Sequence, residues 1–229
     1  MRNIFIVLTI MVVALCSCKK ISGNGDVITE TISLEEYFNE VRNETKFDIE
    51  VYFANENNVV ITGESNIIHS LSINVKSKQL VIKKAKAKYT LFNTKPVTIK
   101  VYMNNRNQLK FSSYGVGAGN IKIDSPLSEK ITYESSGTGD ITAFNTENEA
   151  VEVKITGSGN VEISGVAGEV IIRNSGSGNA KCYSLSAQFV EIHNSGSGRV
   201  EAFATDAIEI WQTGSGEVYT GGTENVIFH

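Results

Sequence analysis

The sequence predicts an all-β protein built as a β-solenoid, a parallel β-helix-like stack with about 20 residues per coil and Gly-Ser-Gly corners. Three observations carry this prediction. A glycine pair recurs at a nearly constant interval, and short alternating apolar segments lie between the pairs. The chain also holds 20 glycines and two prolines without a long helical periodicity.

The glycine pairs are Gly117-Ala-Gly119, Gly137-Thr-Gly139, Gly157-Ser-Gly159, Gly176-Ser-Gly178, Gly196-Ser-Gly198 and Gly214-Ser-Gly216, spaced by 20, 20, 19, 20 and 18 residues. Together with Gly23-Asn-Gly25 they contain 14 of the 20 glycines. Units of this period bury a core only against their neighbours, so they stack. A sharp corner repeated at one place in every coil explains the glycines: they tolerate φ > 0, and a stack of corners leaves little room for a Cβ. The column Asn120, Asp140, Asn160 and Asn179 is suited to capping turn amides.

Two alternating segments separate successive corners. Alternation places successive side chains on opposite faces of a strand, which defines three inward columns. These are Ile121, Ile141, Val161, Ala180, Val200, Val218; Ile131, Val151, Val170, Val190, Ile208, Val226; and Tyr133, Val153, Ile172, Ile192, Ile210, Phe228. Each aliphatic is worth roughly 1.5–3 kcal/mol when covered, and only neighbouring coils can cover it. Cys182 falls on an inward position beside Ile163 and Ala202 and reads as an inert core thiol.

The N-terminal half alternates less regularly, through "FDIEVYFA", "NVVITGE", "LSINVKS", "QLVIKK" and "VTIKVYM". Ser33 and Glu36 form a capping box ahead of Leu34, Tyr37, Phe38 and Val41, which predicts a helical piece over 33–41. The expected layout is a lipoprotein signal peptide (1–17), an anchor and linker (18–26), and one solenoid domain (27–229). That domain divides into irregular coils (27–114) and regular repeats (115–229).

The signal peptide rests on Arg2, the apolar run Ile4–Leu15 and the "LCSCKK" that follows. Cys18 has Leu15 three residues before it and small Ser17 just before, the arrangement of a lipidation site; Cys16, preceded by Leu15, fits poorly. Plain secretion after Ala14 is the alternative. An outer-membrane lipoprotein is therefore expected, facing the periplasm or the cell surface. "KKISGN" after Cys18 lacks an acidic cluster, which favours the periplasm.

Charge is uneven. Residues 18–110 hold 14 basic and 10 acidic groups, residues 111–229 hold 6 and 15, and 11 Lys or Arg lie between Glu64 and Asp124 without one Asp or Glu. A net-acidic exported chain argues against nucleic acid as a partner. Lys83, Lys84, Lys86 and Lys88 are expected to meet an anionic surface, lipid headgroup or lipopolysaccharide; Lys84, Lys86 and Lys88 would line one strand face. A lysine-guarded edge strand is the plainer alternative.

"SCKK", "ISGNGDV", "FDIEVYF", "LVIKK" and the "GSGNVEI"-type coils together resemble the putative auto-transporter adhesin family with a head GIN domain, over nearly the whole mature chain. "SLEEYFNEVRNETK" departs from that family's shorter opening. The resemblance implies a β-helical fold, export with a lipid anchor in Gram-negative cells, and an adhesive or envelope role. It brings no catalytic motif.

One outward column, Glu134, Lys154, Arg173, His193, Trp211 and His229, gathers both signs of charge, two imidazoles and the only tryptophan. Arg173, His193 and Trp211 are the candidate recognition surface, because an exposed indole can stack on a sugar. A solvated face with pairs such as Glu134–Lys154 is the plainer alternative.

Catalysis, metals and cofactors find no support. The five mature Asp residues are scattered, Glu152, Glu191 and Glu209 lie on a flat column, and the histidines lack ligand spacing. A strand, not a helix, follows each glycine pair, which disfavours a phosphate cradle. The expected function is a non-catalytic adhesion or interaction module with a glycan, lipopolysaccharide or protein ligand. The alternatives are a carbohydrate-active β-helix enzyme and a periplasmic lipid-binding structural protein. "VIFH" matches an inward column at its last coil, so self-association through that end is also expected.

Overall fold

A computed structural model describes residues 19–229. Cys18, and with it the expected signal peptide and lipidation site, lies outside the described residues. β1 (Lys19–Ser22) and β2 (Val27–Ser33) lead into β3 (Glu40–Asn43) and β4 (Ile49–Phe53), then β5 (Asn58–Glu64) and one helical turn, α1 (Ser65–Ile68). β6 (Leu71–Lys76), β7 (Gln79–Lys84), β8 (Tyr89–Phe92) and β9 (Thr98–Met103) complete the N-terminal half. The rest comprises β10 (Leu109–Ser113), β11 (Ile121–Asp124), β12 (Leu127–Ser135), β13 (Ile141–Ile155), β14 (Val161–Asn174), β15 (Ala180–Asn194), β16 (Val200–Gln212), β17 (Val218–Gly222) and β18 (Val226–Phe228).

From β10 onward every pairing is parallel and each coil sits on the one before it, which makes the fold a β-solenoid. All three inward columns form in the expected register, Ile121↔Ile141↔Val161↔Ala180↔Val200↔Val218 among them. Their members are buried up to the last coil, where Val218 and Val226 are half-buried and Phe228 is 72% exposed. Within one coil, the bend opposite the glycine corner is not a loop. β13, β14 and β15 each run on through a register shift, between Ala143 and Thr146 in the first case. Such bulges bend a strand without ending it.

The glycine corners stand, for one of the two expected reasons. Gly117 has φ +77°, but Gly157, Gly176 and Gly196 do not adopt the left-handed region. Close stacking decides the residue type instead. A Cβ on Gly157 would lie 2.2 Å from the Gly137 carbonyl oxygen, and one on Gly176 2.2 Å from that of Gly157. From Gly137 onward each corner rests directly on the backbone of the corner below.

Two side-chain ladders hold the corners. Outside, the Asn120 column passes hydrogen bonds from coil to coil: Asn160 N–H donates to Asp140 Oδ1 (2.7 Å), Asn179 N–H to Asn160 Oδ1 (2.9 Å) and Arg199 N–H to Asn179 Oδ1 (2.8 Å). Inside, buried Asn174 and Asn194 donate through Nδ2 to the Gly178 and Gly198 carbonyls, at 2.9 and 3.2 Å. Bracing from within satisfies backbone oxygens that the turn leaves without a ladder partner.

The N-terminal half differs from a run of irregular coils. β3 and β4 lie between the β7/β9 pair and the β10/β11 pair, so coil order in space is not chain order. Antiparallel strands close this end: β5 lies on β9, β2 on β5, and β6 on β7. α1 buries Ile67 and Ile68 against the core. The expected helical piece over 33–41 is not formed. Phe38 and Val41 are buried, but Val41 pairs with Leu80 and Phe111 in strand ladders, and the β-sheet claims it. The expected linker is also structured, since β1 pairs with β8. Among the described residues no helix is long and apolar enough to cross a membrane.

Candidate functional site

The Arg173–His193–Trp211 column assembles as expected, because the register Lys154↔Arg173↔His193↔Trp211 follows from the coil period. Two kinds of contact run along it. The Arg173 guanidinium lies between Glu152 and Glu191, 3.2 Å from each, and His193 Nε2 lies 2.5 Å from Glu191 Oε1. Beyond His193 the contacts are aromatic. Trp211 stacks on His193 with centroids 4.6 Å apart and on His229 with centroids 4.1 Å apart. Both faces of the indole are therefore covered, and a sugar cannot stack on either without displacing an imidazole. The expectation of an open tryptophan platform is corrected to a closed stack.

The anticipated Glu134–Lys154 neighbours are in register, but their ion pairs lie elsewhere, Glu134 with Lys110 at 2.6 Å and Lys154 with Glu152 at 3.0 Å. Glu152 and Glu191 both serve cations in this network. These are half-exposed pairs, each worth about 0–1 kcal/mol.

The lysine strand is corrected more fully. β7 ends at Lys84, and residues 85–88 turn into β8, so Lys84, Lys86 and Lys88 do not line one strand face. Lys84 Nζ folds back and donates to the Ala87 and Tyr89 carbonyls at 3.1 and 2.8 Å. Lys86 lies over the Tyr89 ring at 5.8 Å, and Lys83 is exposed opposite Ser72. Nor is β7 an edge: it pairs with both β3 and β6.

Sequence reasoning missed a buried carboxylate in this half. Glu64 is fully buried and accepts from Gly25 N–H (2.9 Å), Thr94 N–H (2.6 Å), Thr94 Oγ1 (2.6 Å) and Lys95 N–H (3.2 Å). The Thr94 hydroxyl, with backbone amides beside it, outweighs desolvation and holds the carboxyl down to about 2. A Cβ on Gly23 would lie 2.0 Å from Glu64 Oε2. The Gly23-Asn-Gly25 pair, grouped with the corners by its sequence, instead wraps this carboxylate and ties the entering chain to the 93–95 loop. Only a glycine pair standing so far from the repeats hinted at it.

Cys182 is buried against Ala202, and desolvation pushes its thiol up to about 12. Among the described residues no group of three His, Cys, Asp or Glu side chains is placed to hold a metal ion.

A family model for the putative auto-transporter adhesin, head GIN domain, matches residues 37–223. The chain belongs to this family. Known structures share its architecture. A putative adhesin from Bacteroides fragilis NCTC 9343 aligns with a TM-score of 0.74 at 21% identity, covering 91% of this chain and all (100%) of that one. A putative adhesin from Parabacteroides distasonis ATCC 8503 gives 0.60 at 19% identity, covering 92% and 98%. A putative lipid binding protein from the same Parabacteroides strain gives 0.58 at 19%, covering 91% and 100%. At these identities the likeness is one of fold. No curated protein matches the chain. Membership names an adhesin class without a ligand.

Proposed function

We propose that this adhesin-family chain is a non-catalytic cell-envelope lipoprotein, held at the outer membrane through Cys18 and acting as an adhesion or interaction module. The observation that carries the reading is the entry of the chain. β1 starts at Lys19, is laid beside β8, and is followed by the Glu64 clamp, so a lipid on Cys18 would join a rigid end of the solenoid. The acidic coils would then project away from the membrane.

Two measurements test it. Radiolabelled palmitate should enter the wild-type chain in Gram-negative cells and be absent from Cys18→Ala. Cells bearing the wild-type chain should adhere to matrix or to neighbouring cells more than cells bearing Cys18→Ala. Loss of labelling without loss of adhesion would separate anchoring from function and defeat the combined reading.

A second reading is favoured by the lysine-rich entry lobe and by the structural neighbour described as a putative lipid binding protein. In it Lys83 and Lys86 touch anionic headgroups beside the anchor. Co-sedimentation with phosphatidylglycerol vesicles, weakened in Lys83→Glu/Lys86→Glu, would support it. Self-association belongs to the same proposal: β17 and β18 each pair with β16 alone among the described residues. A concentration-dependent mass by light scattering is the expected result.

A further inference from the structure

The opposite sheet carries a feature that the Trp211 column does not share. On the strands β9, β4, β11, β13, β14, β15, β16 and β17, side chains next to the buried Val51, Ile123, Ala143, Cys182 and Ala202 must point outward. They form a stripe of rings, Tyr102, Tyr52, Phe144, Tyr183 and Phe203, which Gly221 continues on β17, while Tyr219 stands in the next column opposite Glu201 and leans on Tyr183. Tyr52 stacks on Tyr102 with centroids 5.4 Å apart, and Tyr183 meets both Phe203 (5.7 Å) and Tyr219 (5.9 Å). Tyr183 is 43% and Tyr219 62% exposed, unlike the covered indole. Gly221 makes room for this cluster, since a Cβ there would lie 2.5 Å from the Tyr183 hydroxyl oxygen.

From Tyr102 to Phe203 the stripe crosses six inter-strand steps at about 4.8 Å each, about 29 Å along the solenoid. Rings recur at every second rung in its middle: Tyr52 on β4, Phe144 on β13 and Tyr183 on β15, with Asp124 and Ser164 on the rungs between. One coil step is close to the length of a pyranose in an extended chain. In a β-1,4-linked chain alternate sugars present the same face, so every second residue would meet a ring.

Charge complementarity narrows the occupant. The neighbouring outward column runs Lys100, Glu50, Lys122, Thr142, Glu162, Lys181, Glu201 and Tyr219, with three lysines against three glutamates. Lys100–Glu50 and Lys181–Glu162 each lie at 3.9 Å, and Arg199 reaches Glu201 at 3.5 Å. Asp124 is the one acid among the rings. Such a face carries no net positive charge to hold a polyanion, while its polar groups can serve sugar hydroxyls; Lys122 lies over the Phe144 ring, 5.8 Å from its centroid.

We infer that the aromatic stripe from Tyr102 to Phe203 binds an extended, uncharged β-linked polysaccharide lying along the solenoid axis, across the strands. This rests on the interaction-module reading and specifies its ligand and face. Aromatic rings beneath pyranose faces supply the contact, and the rigid coil spacing sets the register.

Affinity electrophoresis of the purified full chain through gels holding hydroxyethyl cellulose, glucomannan or polygalacturonate tests it. Retardation is expected with the two neutral polymers and not with the anionic one. Tyr52→Ala and Tyr183→Ala, checked for an unchanged melting temperature, should each weaken binding roughly fivefold to tenfold. Trp211→Ala should leave it unchanged. Binding that survives both tyrosine changes, or retardation only by polygalacturonate, overturns the assignment. If neither neutral polymer retards the chain, the polysaccharide reading is lost; cell adhesion measured in parallel then shows whether the interaction reading stands without it.

Discussion

The indole of Trp211 lies flat on the imidazole of His229, with ring planes 2° apart and centroids 4.1 Å apart. With His193 on the opposite face, 7° from parallel, the only tryptophan of the chain is enclosed between two histidines from adjacent coils. The coil period brings the three together, and the sheet spacing of about 4.8 Å leaves just enough room for stacked rings.

Removing one cover should be visible in the fluorescence of that single tryptophan. His229→Ala is expected to shift its emission to the red and to raise its quenching by acrylamide, at a stability cost of about 0.5–1.5 kcal/mol. An unchanged spectrum would mean that the stack does not persist in solution.

The corner glycines give a sharper contrast. Gly157→Ala places a methyl against the Gly137 carbonyl, with no flexible side chain able to give way, and should cost about 2–4 kcal/mol in chemical denaturation. Gly117→Ala meets nothing within 4 Å and should cost about 1–2 kcal/mol, from its φ of +77° alone. Equal effects at the two sites would contradict stacking as the reason for glycine in the regular corners.

Glu64 predicts an acid sensitivity. Its carboxyl is held at about 2, below its ordinary value of 4.5, so the native state favours the charged form. The stabilisation is complete above pH 4.5 and is lost as pH falls toward 2. Between those limits the wild type should lose protection of the β1 amides in hydrogen exchange. Glu64→Gln should show weakened protection already at pH 7 and little further change through that window.

Burial and a thiol pushed up to about 12 make Cys182 unreactive in the native state. A disulfide reagent at pH 8 should modify it only after denaturant is added. Native modification at a rate near that of a free thiol would place Cys182 outside the core.

The local code of this chain is periodic, and what is periodic was legible. Glycine pairs and alternation specified the coil, the three inward columns, Cys182 in the core and the juxtaposition of Arg173, His193 and Trp211, because a constant repeat fixes register between neighbouring coils. Contacts between dissimilar segments were not legible. Nothing in "SLEEYFNEV" says that Val41 will be claimed by ladders with Leu80 and Phe111 rather than by its own helical turn. Nor does the sequence say that Lys84 will fold back on its own turn, that Glu64 will gather donors from residues 25, 94 and 95, or that Trp211 will be enclosed on both faces. Repeats carry their own partners one period away. Where the period lapses, the partner of each group depends on the closing of long loops, and only the folded chain decides it.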